Sequence, residues 1–213
     1  MHVAEPPRAR PPPPRRALSA RRRRSAPLLL AVAAATLSVG ALYALGMLSS
    51  ISDALSRPIL NDVSTDLDRP PQFLPASSVS EGAGSPGPVP LPDEFKPQIR
   101  RAYPGLKPLV VAEGSSSTKA VFAAVERLAR SRAGWEVVAV VDDNETEKTL
   151  QGVATTRLLR FRDDFVFRVK ASEDGRAVTV DGRSRSRLGR GDLGANAARV
   201  AGFLADLGRE LGA

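Results

Sequence analysis

Phe165-Val166-Phe167-Arg168-Val169-Lys170, then Asp174-Gly175, then Ala177 to about Ser186, is the stretch that decides the fold. Its first part alternates so that Phe165, Phe167 and Val169 fall on one face of a strand. Asp-Gly readily takes the backbone conformation of a tight hairpin turn, so the two flanking runs are expected to pair antiparallel. Upstream, Trp135 to Val141 reads as a buried strand from its Val content. The turn Asp142-Asp143-Asn144 leads from it into a Thr-rich strand from about Thr149 to Leu159. Leu109-Val110-Val111 makes one more short strand.

Two helices complete the pattern. Ser115-Ser116-Ser117-Thr118 offers N-cap hydroxyls for a helix to about Arg132, with Val121, Phe122, Val125, Leu128 and Ala129 facing inward and Gly134 closing it. The last helix is expected from about Leu193 to Leu211, with a core stripe of Leu193, Ala197, Val200, Leu204, Leu207 and Leu211. Short turns between strands favour antiparallel pairing. The expectation is an α+β domain over 99–213, a small antiparallel sheet of about four to five strands packed against two helices.

The chain has 213 residues and a formal charge of +8. Eight Arg against Glu5 put +7 of that charge in residues 1–25, leaving about +1 for the rest. The basic balance therefore belongs to a tail, and no nucleic acid is expected as a partner of the folded part. That Arg- and Pro-rich tail has almost nothing apolar to bury and reads as disordered and cytoplasmic. Residues 26–52 carry no charge, and about 20 apolar residues suffice to cross a bilayer. Arg21 to Arg24 before the run, and acids such as Asp53, Asp62, Asp66 and Asp68 after it, orient the N-terminus toward the cytoplasm. The expectation is a single-pass inner-membrane protein with one transmembrane helix over 26–52. The lipid bilayer would be a partner and the C-terminal domain would be periplasmic or otherwise extracytoplasmic. A cleaved signal peptide is the rival reading, against which stand the length of the run and the poor cleavage context at Ser50-Ile51-Ser52. By composition alone residues 53–98 read as a Pro/Gly/Ser linker.

The chain has no Cys and its only His is His2. Thiolate nucleophiles, disulfides, Cys-based metal sites and a His general base are thereby excluded, and no catalytic residue, cofactor or metal is expected. No phosphate loop, dinucleotide fingerprint, metalloprotease helix or nucleophile elbow is present.

The unusual segment is Arg183-Ser184-Arg185-Ser186-Arg187-Leu188-Gly189-Arg190-Gly191-Asp192-Leu193-Gly194. Continued as a strand, it sets Arg183, Arg185 and Arg187 on one face, their guanidiniums about 7 Å apart. Such a row could receive phosphate, sulfate or carboxylate groups, with Arg190, Asp192 and Asn196 near the start of the last helix. The bland alternative pairs these Arg with acids of the same domain such as Asp163, Asp164 or Asp192, and makes Asp192 an N-cap. Asp163-Asp164 is also a paired-carboxylate candidate, although adjacent acids before a strand usually form a turn.

Two stretches carry a family resemblance, residues 61–73 (Asn61-Asp62-Val63-Ser64-Thr65-Asp66-Leu67-Asp68-Arg69-Pro70-Pro71-Gln72-Phe73) and 183–196 (Arg183 through Asn196). Tyr103-Pro104, Gly134-Trp135, Ala154-Thr155-Thr156 and Asp163-Asp164 support them in order. The chain resembles the bacterial family catalogued as domain of unknown function 1499. The resemblance implies a small domain often attached to membrane segments, with no activity or cofactor to carry over. It also implies that 61–73 docks on the domain and brings Asp66 or Asp68 near the Arg row.

Two functions compete on this reading. One is a non-catalytic envelope module that binds another envelope protein or an anionic ligand through the Arg-rich segment. The other is a hydrolase or transferase using Asp66, Asp164 or Asp192 with an Arg clamp, which requires those carboxylates to converge in one cleft.

Overall fold

The hairpin forms as β5, Arg162–Ala171, and β6, Ala177–Ser186, paired antiparallel with Phe165 opposite Ser184 and Phe167 opposite Gly182. The computed structural model describes residues 31, 34–46, 58–112, 117–142, 147–157, 159–172 and 176–213. The chain divides into two compact units, Met1–Asp53 and Ala54–Ala213. In the first unit residues 34–46 form a helix, α1, with exposed side chains.

In the second unit four further strands extend the hairpin: β1, Asp62–Ser64, β2, Leu109–Ala112, β3, Trp135–Val141, and β4, Glu147–Thr155. The sheet order is β1-β6-β5-β4-β3, and β2 also pairs with β6, every pairing being antiparallel. The other helices are α2, Phe95–Ala102, α3, Thr118–Ser131, and α4, Ala195–Leu211.

Alternation gives the sheet two different faces. One is apolar. Phe165, Phe167, Val169, Leu150 and Val180 are fully buried there against Val121 and Val125 of α3 and Val200, Phe203 and Leu207 of α4. Trp135, Phe165, Phe167 and Phe203 form a continuous ring cluster, with centroids 4.2 Å apart for Trp135–Phe165 and 4.0 Å for Phe167–Phe203. Glycines opposite the rings make room for them: Gly152 lies across from Phe165 and Gly182 across from Phe167. A Cβ on Gly152 would stand 2.2 Å from the Phe165 ring and 2.7 Å from the Glu136 carbonyl oxygen.

The opposite face is polar and is covered by the stretch from Thr65 to about Val89. Thr65 N–H donates to Gly182 O at 2.9 Å, and Gly182 N–H donates to the Thr65 hydroxyl at 3.0 Å. The fully buried Gln151 accepts from Leu74 N–H at 2.6 Å and donates to Ser85 Oγ at 2.9 Å. Arg168 donates to Arg69 O at 2.8 Å and pairs with Asp66 and Asp181. Phe73 and the small cluster of Val79 and Ala83 on Val138 and Val153 give the strap some apolar contact, and side-chain hydrogen bonds to its carbonyls and amides hold the rest.

Several expectations are corrected. The sheet has six strands, not four to five, because β1 is only 3 residues long and pairs with the far end of β6, which no local pattern reveals. The described residues hold four helices rather than two plus a membrane span. Among the described residues no helix is long and apolar enough to cross a membrane. The tail over 1–25 lies outside the described residues, as do the flanks of the 26–52 run.

β3 is an edge strand with only Val138 buried, not a buried one. Leu193 does not join the core stripe: its φ of +54° turns it outward before α4 begins, and Phe203 fills the stripe instead. Asp163 and Asp164 lie within β5, where alternation sends them to opposite faces, rather than in a turn.

Gly152→Ala is expected to lower stability by about 2–3 kcal/mol, because the methyl group must displace the Phe165 ring or the β3 backbone. Urea unfolding reads the loss, and an unchanged midpoint would refute the tight approach. Asp66 gives a pH test of the strap. Burial raises its carboxyl, but N–H groups of Arg69 and Asp68 and the charges of Lys170 and Arg168 outweigh this and hold it below its ordinary value. A depressed carboxylate stabilises the fold above the unfolded value near 3.9, and that contribution fades as pH falls through the folded value. Asp66→Asn should therefore be on the order of 1 kcal/mol less stable at pH 7, with the gap to the parent closing below about pH 4. A constant gap would mean the charge is idle.

Candidate anion-binding cleft

The Arg row lies on the polar face, as the strand period dictates, but its three members have different surroundings. Arg183 is fully buried, with 0% exposure. Its Nε and Nη2 donate to Asp62 Oδ1 at 3.0 Å and Oδ2 at 2.7 Å, and Nη1 donates to Pro71 O at 3.2 Å. Its guanidinium stands 4.9 Å from the Phe73 ring centroid. Burial raises the Asp62 carboxyl above its ordinary value, opposed by the hydrogen bonds and charge of Arg183 and by the charge of Arg185.

Arg187 is equally committed. It grips Asp164 through Nε at 2.8 Å and Nη2 at 2.6 Å, and donates to the carbonyls of Ala83 at 2.8 Å and Gly84 at 3.0 Å. The Asp164 carboxylate raises the Arg187 guanidinium above its ordinary value, against the opposing effect of burial. Both arginines tie the strap to the sheet.

Arg185 sits between them, half-buried, opposite Asp62 on β1 and Asp164 on β5. Among the described residues its guanidinium has no hydrogen-bond or ion-pair partner. It lines a cleft of about 320 Å³ with Asn61, Ser85, Asp164, Ser186 and Arg187. Three guanidiniums against the carboxylates of Asp62 and Asp164 leave one positive charge in this neighbourhood.

On the apolar side, Asn196 is fully buried and couples α4 to the sheet. Its Oδ1 lies 2.8 Å from Ser184 Oγ, and its Nδ2 donates to Ser186 Oγ at 3.0 Å and Asn61 O at 3.3 Å. Arg199 joins this network, donating to Ser184 Oγ at 2.8 Å and pairing with Asp163 at 2.6 Å. Asp192 caps α4 from just upstream, accepting from Gly194 N–H at 2.8 Å and Asn196 N–H at 2.7 Å.

The remaining sequence candidates scatter. Asp66 meets Arg168 and Lys170 rather than the Arg row, Asp68 makes an exposed pair with Arg100 at 3.4 Å, and Arg190 is exposed. Asp66, Asp164 and Asp192 line three separate clefts. Among the described residues no group of acids or His could hold a metal ion. Sequence reasoning missed Asp62, the partner of Arg183, together with Asn61 and Ser85 in the cleft. β1 is too short to show alternation, and Ser85 sits in a stretch whose composition reads as linker.

Removing one partner of a fully buried bidentate pair strands the other charge. Asp62→Ala is expected to destabilise the domain by about 3–5 kcal/mol, while adding Arg183→Met should recover much of that loss. Denaturant unfolding of the double-mutant cycle decides it; strictly additive losses would show that the pair is not coupled.

No curated protein and no solved structure matches the chain. The family model described as protein of unknown function (DUF1499) matches residues 62–207, running from the Asp62 that holds Arg183 to the last turns of α4. With well over half of its length inside that match, the chain belongs to this family of proteins of unknown function.

Proposed function

We propose that the domain is a non-catalytic binding module that receives a small anionic group, a carboxylate or phosphate, in the cleft beside Arg185. The observation that carries this reading is the contrast along β6. Arg183 and Arg187 have their donors occupied by Asp62, Asp164 and strap carbonyls, while Arg185 between them has no partner among the described residues and faces the cleft. A planar guanidinium is suited to bidentate recognition of an oxyanion. Its neighbours serve that role by rigidity, since two ion pairs fix the strand that presents it. Asn61 lines the same cleft, its Nδ2 donating to Gly189 O at 3.0 Å. A hydrolytic or transferase mechanism would need converging carboxylates, and Asp66, Asp164 and Asp192 each stand in a different cleft with its own partners.

Titration with inorganic phosphate and with acetate, followed by amide chemical shifts, tests the proposal. The expected result is saturable shifts at Asn61, Gly84, Ser85, Ser186 and Arg187 in the parent and their loss in Arg185→Gln. That variant breaks no hydrogen bond or ion pair and loses only the charge of Arg185 near Asp62, so it should remain folded, with at most a small drop in its denaturant midpoint. Equal shifts in both proteins would refute the assignment.

A further inference from the structure

At one end of the sheet two loops lie side by side, 156–161 between β4 and β5 and 187–194 between β6 and α4. They enclose a groove of about 510 Å³ walled by Leu159, Phe161, Leu188 and Leu193. These four side chains are large, apolar and turned to solvent, with 64%, 49%, 74% and 61% of their surfaces exposed. Ile59, against Gly191, adds a fifth at 71%. Burying such side chains is favourable, so a contiguous exposed set marks a contact surface rather than an accident of composition.

The backbone holds them outward at a cost. Arg160 at φ +55° and Leu193 at φ +54° are the only non-glycine residues with positive φ among the described residues, and one lies in each loop. Left-handed backbone at a branched or bulky residue is unfavourable and collects at functional places. Leu193 shows the effect directly, since the helical spacing would send it to the core.

Charge identifies the occupant. Arg157, Arg160 and Arg190 are exposed in these same two loops, and their guanidiniums have no ion-pair or hydrogen-bond partner among the described residues. The two acids at the groove are both engaged, Asp163 by Arg199 and Asp192 by the amides opening α4. An apolar centre on loop tips with an unneutralised Arg rim matches the boundary between acyl chains and anionic headgroups. A second copy of the chain is a poor fit, because face-to-face contact would bring two sets of unpaired Arg together. We propose that this end of the domain docks on an anionic lipid bilayer, with Leu159, Phe161, Leu188 and Leu193 entering the interface and Arg157, Arg160 and Arg190 against headgroup phosphates.

The absence of Cys allows a local test in the full chain. Leu188→Cys carries an environment-sensitive fluorophore, and Lys119→Cys, exposed near the start of α3, carries the same label as a control. Each is mixed with vesicles of phosphatidylcholine alone or with about a third phosphatidylserine, a composition that supplies the negative surface potential. The label at 188 should shift to the blue and be quenched by spin-labelled lipid in the phosphatidylserine vesicles, while the label at 119 stays unchanged. Each of Arg157→Gln, Arg160→Gln and Arg190→Gln should weaken this response about fivefold, the effect of one cation near an anionic surface. Vesicle binding with no change at 188 would overturn the proposal, since attachment would then run through another part of the chain. A shift at 188 that grows with protein concentration in the absence of lipid would also overturn it, in favour of self-association.

Discussion

The buried contact between Arg183 and Asp62 is the constraint on which the polar half of this domain depends. A guanidinium with no solvent exposure needs a partner at each of its three nitrogens, or the cost of burying it is several kcal/mol. Asp62 satisfies one edge with two hydrogen bonds, Pro71 O takes another donor, and the Phe73 ring covers the face. These three partners come from β1 and from two points on the strap. Placing Arg183 therefore places the edge strand and the first half of the strap together.

That arrangement divides the sheet into two kinds of interior. Behind β5 and β6, phenylalanine rings lying across from glycines pack on α3 and α4, and area removed from water supplies the stabilisation. In front, the strap adds only Phe73 and a small cluster around Ala83 to the apolar contacts, and the sheet also reaches it with Gln151, Arg168, Arg183 and Arg187. Pairs of this kind add little net stability over an apolar replacement, yet they are intolerant of losing one member. They select a single path for the strap, because only one course of the chain presents carbonyls of Arg69, Pro71, Ala83 and Gly84 where the donors point.

The same logic separates occupied from available groups. Arg183 and Arg187 look alike in the sequence, and so does Arg185 between them, but only Arg185 is left without a partner among the described residues. The loops at the sheet end repeat the contrast in apolar form: Leu204 and Leu207 face the core, whereas Leu188 and Leu193 project outward.

Strong periodicity is legible in the amino-acid order alone. Trp135–Val141 and Ala177–Ser186 have the bounds that their composition predicts, the α3 helix is capped by the Ser117 hydroxyl, and Phe165, Phe167 and Val169 share the core face. Such features follow from side-chain spacing and turn chemistry within a dozen residues, so the sequence by itself determined them, as it determined the absence of thiol and imidazole chemistry in the folded part. What only the tertiary structure decided has its partners far apart in the chain. Asp62 finds Arg183, Gln151 finds Leu74, and Arg187 finds Ala83, across separations of 121, 77 and 104 residues. Local patterns cannot encode which distant carbonyl will stand in front of a donor, because that depends on how the whole sheet closes and on which groups burial forces to be paired.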